Sequence, residues 1–331
     1  MPEPTAWTVP GKLMLAGEYA VLRPGGRCLA LAVGELVEVT LGAASDRPTV
    51  TVSAFGKDVA FLALQPQTEP LPGLPGFASV ALEWLAHHQH RTLHHDLRLQ
   101  VSGDVDGRKV GLGTSAAVTV AVLRAVLASE RLAGIDGAPT SPTTVTSWGR
   151  AIHAQGQGKR GSGYDVATIA HGGVLAWQHE PAQAVHLAWP DGLHGAALFS
   201  GVPAATTSAL ARDPLPDADL DNIAGAATAL LQVWSHGRPE LILDALRACE
   251  RAFTGAAIHV ADLDPAPLRD LRTLIQSTGC IARTSGAGGG DCVLALSDSP
   301  QAVQQAIAAW TAIGGRTVAL LPQDLALGSC Q

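Results

Sequence analysis

The chain has 331 residues, 47% of them hydrophobic and 15% charged, with a formal net charge of −7 at pH 7. That much apolar material excludes a disordered chain, and the length exceeds what one core usually fills, so two domains are expected. The acidic balance and the lack of a long basic stripe argue against nucleic acid as a partner, but a small phosphorylated molecule needs only a local positive pocket. The start of the chain lacks a basic region followed by an apolar core, and no apolar run is long enough to span a bilayer. Neither a signal peptide nor membrane association is expected. The five cysteines, Cys28, Cys249, Cys280, Cys292 and Cys330, are scattered and form no Cys-x-x-Cys pair. That fits reduced thiols in a cytoplasmic protein.

Taken in order, the first element is a short buried strand over residues 13–16, broken at Gly17-Glu18 and followed by a turn at Arg23-Pro24-Gly25-Gly26. Lys12 lies just before this strand, where its charge either meets an anionic partner or caps the edge of the core with its stem. Glu18 reads as a solvated turn residue or an orienting carboxylate. Residues 36–41 alternate with period two and predict a half-buried strand, with 49–53 as its partner. A helix is predicted over 77–86. The histidines after it (His87, His88, His90, His94 and His95) match no standard metal-ligand spacing and read as a solvated helix end and turn. Residues 97–101 alternate again and feed the sequence Gly111-Leu112-Gly113-Thr114-Ser115-Ala116-Ala117.

In that stretch the glycines permit a tight turn and close approach of the backbone, and Thr114 and Ser115 are good N-cap residues for the apolar run over 118–127. The free N–H groups of such a first turn suit an anion, phosphate above all. No Gly-Lys-Ser/Thr follows the glycines, so this is not a Walker A loop. Further on, a helix is predicted over 147–155. A glycine-rich loop with Lys159-Arg160 follows, then Gly161-Ser162-Gly163-Tyr164-Asp165, in which Ser162 caps a helix over 164–170 and Asp165 complements its dipole. Residues 174–177 and 185–189 read as a strand pair. Beyond residue 190 come a strand at 196–200, helices at 219–234, 239–253 and 265–276, strands at 280–284 and 293–296, a helix at 302–312 and a last strand at 317–321. Between two of these strands lies Ser285-Gly286-Ala287-Gly288-Gly289-Gly290-Asp291-Cys292, which is either a flexible turn or a backbone that approaches a ligand closely.

Three glycine-rich stretches in this order carry a resemblance. They run from Pro10-Gly11-Lys12 to Gly17-Glu18-Tyr19-Ala20-Val21, from Gly111 to Ala117, and from Ser285 to Cys292. Together they resemble the superfamily of galactokinase, homoserine kinase, mevalonate kinase and phosphomevalonate kinase, the GHMP kinases, along nearly the whole chain. Within it the sequence is most similar to the phosphomevalonate kinase family in its compact bacterial form. The Gly161-Ser162-Gly163-Tyr164-Asp165-Val166-Ala167 segment and the Asp291-Cys292 ending bring it there. Arg283 stands where lysine is frequent, and Val293-Leu294 replace a more usual Gly-Ile.

The resemblance implies an α+β, two-domain fold. Residues 1–190 would form an N-terminal α/β domain with a left-handed-type βαβ element, and residues 191–331 a C-terminal ferredoxin-like α/β sandwich. It implies Mg²⁺ and ATP, with 5-phosphomevalonate as acceptor and 5-diphosphomevalonate as product. Gly111, Leu112, Gly113, Thr114, Ser115 and Ala116 would bind ATP, with Ser115 the hydroxyl ligand to the metal. Lys12 and Asp165 would be catalytic: Lys12 with Lys109, Lys159, Arg160 or Arg283 would offset the repulsion between two polyanions, and Asp165 would orient Lys12 or hold a proton or metal-bound water. Lys12, Glu18, Tyr19, Lys159, Ser162, Gly163, Ser285, Gly286, Ala287, Gly288, Gly289 and Asp291 would bind the substrate, and Thr206-Thr207-Ser208 would face it. A monomer or homodimer is expected. The alternatives are a mevalonate kinase or another small-molecule kinase of the superfamily, and a catalytically silent metabolite-binding relative.

Overall fold

A computed structural model describes residues 5–65, 69–135, 141–158, 161–204, 215–260 and 262–326. The chain divides into two compact units. The first holds Met1–Gly11, Glu35–Gly107 and Leu112–His171; the second holds Lys12–Gly34, Arg108–Gly111 and Gly172–Gln331. Two long strands, β1 (Thr5–Ala16) and β2 (Arg27–Ala44), contribute one end to each unit.

In the first unit the later part of β2 pairs antiparallel with β5 (His95–Val101), with Val37 opposite Val101 and Leu41 opposite Leu97. Strand β3 (Thr49–Ala54) pairs parallel with β5 and antiparallel with β4 (Lys57–Leu62). The alternation read from the sequence is real: Val37, Val39 and Leu41 are buried, as are Leu97, Leu99 and Val101. Helix α1 (Gly73–Gln89) makes the crossover between β4 and β5. Short strands β6 (Asp104–Val105) and β7 (Arg108–Lys109) lead into the central glycine loop. Helix α2 (Thr114–Leu132) is buried almost all round, from Ala116 to Leu127. Its run of Ala, Val and Leu on every face suits only a central helix. Helix α3 (Pro142–Gly156) starts at Ser141, whose Oγ accepts from the Thr144 N–H at 3.2 Å with proline at the first helical position. Helix α4 (Tyr164–His171) follows.

In the second unit, residues Arg27 to Leu31 of β2 pair with β8 (Val174–Gln178), which pairs with β9 (Gln183–Leu187). The remaining strands are β10 (His194–Phe199), β11 (Ile281–Thr284), β12 (Cys292–Ser297) and β13 (Arg316–Leu321). They form an antiparallel sheet in the order β11-β12-β10-β13. Helices α5 (Asp217–Trp234), α6 (Pro239–Ala256) and α7 (Ala266–Ser277) connect β10 to β11, and α8 (Pro300–Ala312) connects β12 to β13. That connection pattern and strand order are ferredoxin-like, as expected. The α7 residues Leu268, Leu271 and Ile275, spaced three and four apart, pack on Ala282, Val293 and Ala295 of the sheet.

The sequence reading missed part of this. β2 begins nine residues before the predicted strand, because residues 28–33 are buried on both faces and show no alternation. β4 was not predicted, and β9 starts and ends two residues earlier than expected.

At the centre of the second unit lies Arg283 of β11, wholly buried. Its Nε donates to the Leu15 carbonyl at 2.7 Å and its Nη1 to Glu250 Oε2 at 2.8 Å, while Nη2 pairs with Glu18 Oε1. Glu250 also accepts from the Thr284 N–H at 2.8 Å and lies 3.3 Å from Arg272 Nε; Arg272 in turn forms a fork with Asp264, both contacts at 2.6 Å. Burial opposes the Arg283 charge, but Glu18 and Glu250 outweigh it and hold its pKa above the usual arginine value. Burial pushes the Glu18 carboxyl up, against the opposing pull of Arg283. Breaking such a pair from one side leaves buried charge uncompensated, at a cost of about 3–5 kcal/mol. Arg283→Met is therefore expected to lower the urea midpoint by that equivalent. A midpoint equal to wild type would show that the network contributes nothing to stability.

Candidate active site

Lys12 sits on β1 with 9% of its surface exposed, and its Nζ donates to the Gly111 carbonyl at 3.0 Å. Gly111 has φ +78°, and a Cβ there would lie 2.2 Å from Asp291 Oδ2, so no other residue fits without displacing that carboxylate. Asp291 is itself left-handed at φ +63°. Its Oδ1 accepts from the Ala204 N–H at 2.9 Å, its N–H donates to the Val202 carbonyl at 2.7 Å, and its carbonyl accepts from the Ser200 N–H at 2.8 Å. Burial pushes its carboxyl up, while the Ala204 N–H and the charges of Lys12 and Lys109 pull it down. Lys109 thus belongs to the same electrostatic neighbourhood as Lys12.

The first and third glycine stretches meet within the second unit. Ser285 Oγ accepts from the Met14 N–H at 2.9 Å, and the Tyr19 hydroxyl donates to the Ala287 carbonyl at 2.6 Å. Gly286, Gly288 and Gly289 all take positive φ. A Cβ at Gly288 would meet the Leu263 carbonyl at 2.5 Å, and the Gly289 N–H donates to that same carbonyl at 2.7 Å. Ser285 to Asp291 is therefore a pinned loop whose course needs glycine.

The remaining expected residues lie in the first unit. Helix α2 starts at Thr114, but its N-cap is Gly113 in a left-handed conformation, with no side-chain cap. This corrects the expectation that Thr114 or Ser115 would cap it. The Thr114 hydroxyl is wholly buried, and Leu112 and Ala116 are buried too. The Ser115 hydroxyl is 3.1 Å from His153 Nε2, and His153 Nδ1 is 3.6 Å from Asp165 Oδ2. Asp165 Oδ1 accepts from the Val166 N–H at 2.9 Å. Ser162 is buried, with its Oγ 3.5 Å from the Tyr164 N–H, and a Cβ on Gly163 would strike the Arg150 side chain at 2.6 Å.

Two expectations give way here. Glu18 is neither solvated nor presented to a substrate, since it is 2% exposed and committed to Arg283. Arg283 cannot serve the phosphates, because its guanidinium is occupied by Leu15, Glu18 and Glu250. Lys159, Arg160, Thr206, Thr207 and Ser208 lie outside the described residues. The sequence reading overlooked His153 and Arg150. They stand three apart on α3 and so share a helix face, which was the available signal. Of the histidine tract, His88 stacks on Trp84 with ring centroids 4.9 Å apart, and the His94 N–H and the His95 ring both bond the Ser129 hydroxyl. Among the described residues no helix is long and apolar enough to cross a membrane.

For Mg²⁺, the donor chemistry of the first unit fits. The Ser115 hydroxyl, at the start of α2, supplies the hard oxygen that this cation prefers.

Two family models match the chain, one described as the GHMP kinases N terminal domain over residues 77–173 and the other as the GHMP kinases C terminal over residues 228–315. Together they span more than half of it, and the chain belongs to the GHMP kinase family. It is 28% identical to a phosphomevalonate kinase of Streptomyces sp. (strain CL190), over 88% of this chain and 89% of that one. Among solved structures it resembles Streptococcus pneumoniae phosphomevalonate kinase in complex with phosphomevalonate and AMPPNP, with TM-score 0.80, 20% identity, and coverage of 96% and 99% of the two chains. It also resembles the Methanococcus jannaschii mevalonate kinase, with TM-score 0.76, 16% identity, and coverage of 96% and 98%. At these identities the two structures attest the fold.

Because the folded protein holds the Asp291 proton more tightly than the unfolded chain, the stability linked to that proton is present at low pH. It is lost as pH rises through the raised pKa. Asn cannot ionise and tolerates positive φ. Asp291→Asn is therefore expected to melt above wild type at pH 7, with the gap closing as pH falls toward the ordinary aspartate range. Melting curves across that series check it, and a lower melting point at pH 7 would reverse the assignment.

Proposed function

We propose that this chain transfers the γ-phosphoryl group of ATP onto the phosphate of 5-phosphomevalonate, giving 5-diphosphomevalonate and ADP. The observation that carries the reading is a buried lysine, Lys12, tied at 3.0 Å to Gly111, the first residue of the phosphate loop. Likeness to the Streptomyces phosphomevalonate kinase over most of both chains supports the choice of acceptor.

In phosphoryl transfer the protein mainly positions the reactants and stabilises charge. The first-turn N–H groups of α2 have no intrahelical partner and, with Gly113 as a side-chain-free cap, are left for phosphate oxygens. The acceptor is itself a phosphate, with a second pKa of about 6, and is mostly dianionic at neutral pH. A strong base is then unnecessary, and the main obstacle is repulsion between two polyanions. Lys12 and Lys109, which share the neighbourhood of Asp291, supply the positive charge in the second unit. Asp165 acts as an orienting carboxylate. Ser115 Oγ would hold Mg²⁺, which when bound would supply charge neutralisation across the nucleotide phosphates. The functional halves in this reading are residues 1–190, which carry the phosphate loop, and 191–331, which carry the third glycine segment, in a cytoplasmic enzyme.

A coupled ADP-release assay with 5-phosphomevalonate and mevalonate side by side tests the proposal. Turnover is expected with the former alone, and turnover with mevalonate alone would make the chain a mevalonate kinase. Lys12→Met is expected to lower kcat by about 10²–10³-fold or more while the protein still unfolds cooperatively. Turnover near wild type in that variant would remove Lys12 from the mechanism.

A further inference from the structure

The part of the first unit that the reaction so far leaves unexplained is His153. It lies on α3 with its side chain almost fully enclosed, 4% exposed, and the Phe77 ring packs on it at a centroid distance of 5.3 Å. One ring nitrogen faces the Ser115 hydroxyl at 3.1 Å and the other faces Asp165 at 3.6 Å. A histidine held between a serine and an aspartate resembles a nucleophilic triad, but this serine stands at the start of α2, where the phosphates of a nucleotide would lie.

The hydrogen-bonding logic is restrictive. An ionised carboxylate only accepts, so Asp165 favours the tautomer that carries its proton on Nδ1. At 3.6 Å it orients the ring by charge, being beyond hydrogen-bond distance. Nε2 is then an acceptor, and the hydroxyl it faces is that of Ser115. With its proton turned toward His153, the Ser115 oxygen directs both lone pairs away from the ring. A serine hydroxyl otherwise rotates freely and can bond back to its own helix, as the neighbouring Thr119 hydroxyl does with the Ser115 carbonyl at 3.0 Å.

We propose that His153 is a positioning residue that fixes the rotor of Ser115, so that its oxygen meets the divalent cation of the nucleotide as a pure acceptor. Asp165 fixes His153 in turn, which gives that carboxylate a second task beside orienting the acceptor. The inference rests on the reading above that Ser115 serves Mg²⁺ and ATP. It follows the general pattern in which a residue behind a ligand sets that ligand's orientation, and loss of such a residue typically costs 10–100-fold in metal affinity.

The test is calorimetric titration of ATP into wild type, His153→Ala, His153→Gln and His153→Asn, with Mg²⁺ and with EDTA, each variant being checked for a cooperative melt. The Gln amide reaches the position of Nε2 and can accept from Ser115; the shorter Asn reaches only the Nδ1 side. The expected result is that Mg²⁺·ATP binding weakens about 10-fold or more in the Ala and Asn variants and recovers in Gln, while metal-free ATP binding is the same in all four. If Ala fails to fold, the contrast between Gln and Asn decides. Equal weakening with and without metal, or equal affinity of Gln and Asn, would overturn the proposal and leave His153 a packing residue. Phosphoserine at Ser115 after incubation with ATP would overturn it in the other direction, since Ser115 Oγ would then have bonded to the γ-phosphorus, ADP would have left, and His153 would have taken the proton. Wild type that binds ATP no better with Mg²⁺ than without would instead refute the underlying reading, and the proposal would fall with it.

Discussion

Arg283 and the two carboxylates it touches form the constraint on which the second unit depends. A guanidinium with no exposed surface is tolerable only if its donors are all matched, and here the partners come from three places: the Leu15 carbonyl, Glu18 beside it, and Glu250 on α6. The arrangement ties residues 15–18 to β11, more than 260 positions away along the chain. Met14 with Ser285 and Tyr19 with Ala287 extend the tie on either side. The first and third glycine stretches thus meet because a buried charge requires it, and the glycines then let the backbone follow the path that these anchors set.

The same logic governs the loop around Gly111. Lys12 and Asp291 have opposite charges, and each has a backbone partner: Lys12 the Gly111 carbonyl, and Asp291 the Ala204 N–H beside its own left-handed turn. Backbone partners fix the two side chains without consuming the whole of the lysine's charge. Burial raises the Asp291 carboxyl even with two lysines opposing it, so desolvation outweighs Coulomb attraction at this point. A polyanion arriving near Lys12 and Lys109 would meet positive charge already in place, the condition under which electrostatic stabilisation needs little reorganisation.

Within the first unit the chemistry is concentrated on α2, α3 and α4. Gly113 begins α2 in a left-handed conformation without a side-chain cap, so the cap residue itself leaves the first-turn N–H groups unsatisfied. Ser115, His153 and Asp165 come one from each helix and converge on one ring. The close approach of α3 and α4 is permitted by small residues: a Cβ on Gly149 would strike Val166 at 2.7 Å, and one on Gly163 would strike Arg150 at 2.6 Å.

By itself the sequence determined the elements and the loops. Period-two alternation in 36–41 and 97–101, apolar spacing in α7, and three ordered glycine stretches are local signals, and each survives in the fold because the period of burial follows the period of the backbone. The family was legible for the same reason, since its motifs are continuous in the chain. Tertiary structure alone decided the roles of single charged residues. Glu18 reads locally as a turn residue or an orienting carboxylate and Arg283 as a source of charge for phosphate, and nothing local tells that the two are partners. His153 went unread because its meaning lies in Ser115 and Asp165, 38 residues before it and on the following helix. Residues 12–34 pack with the C-terminal part of the chain for a like reason: burial and charge pairing act through space, and the distance between partners along the polymer does not enter their energy.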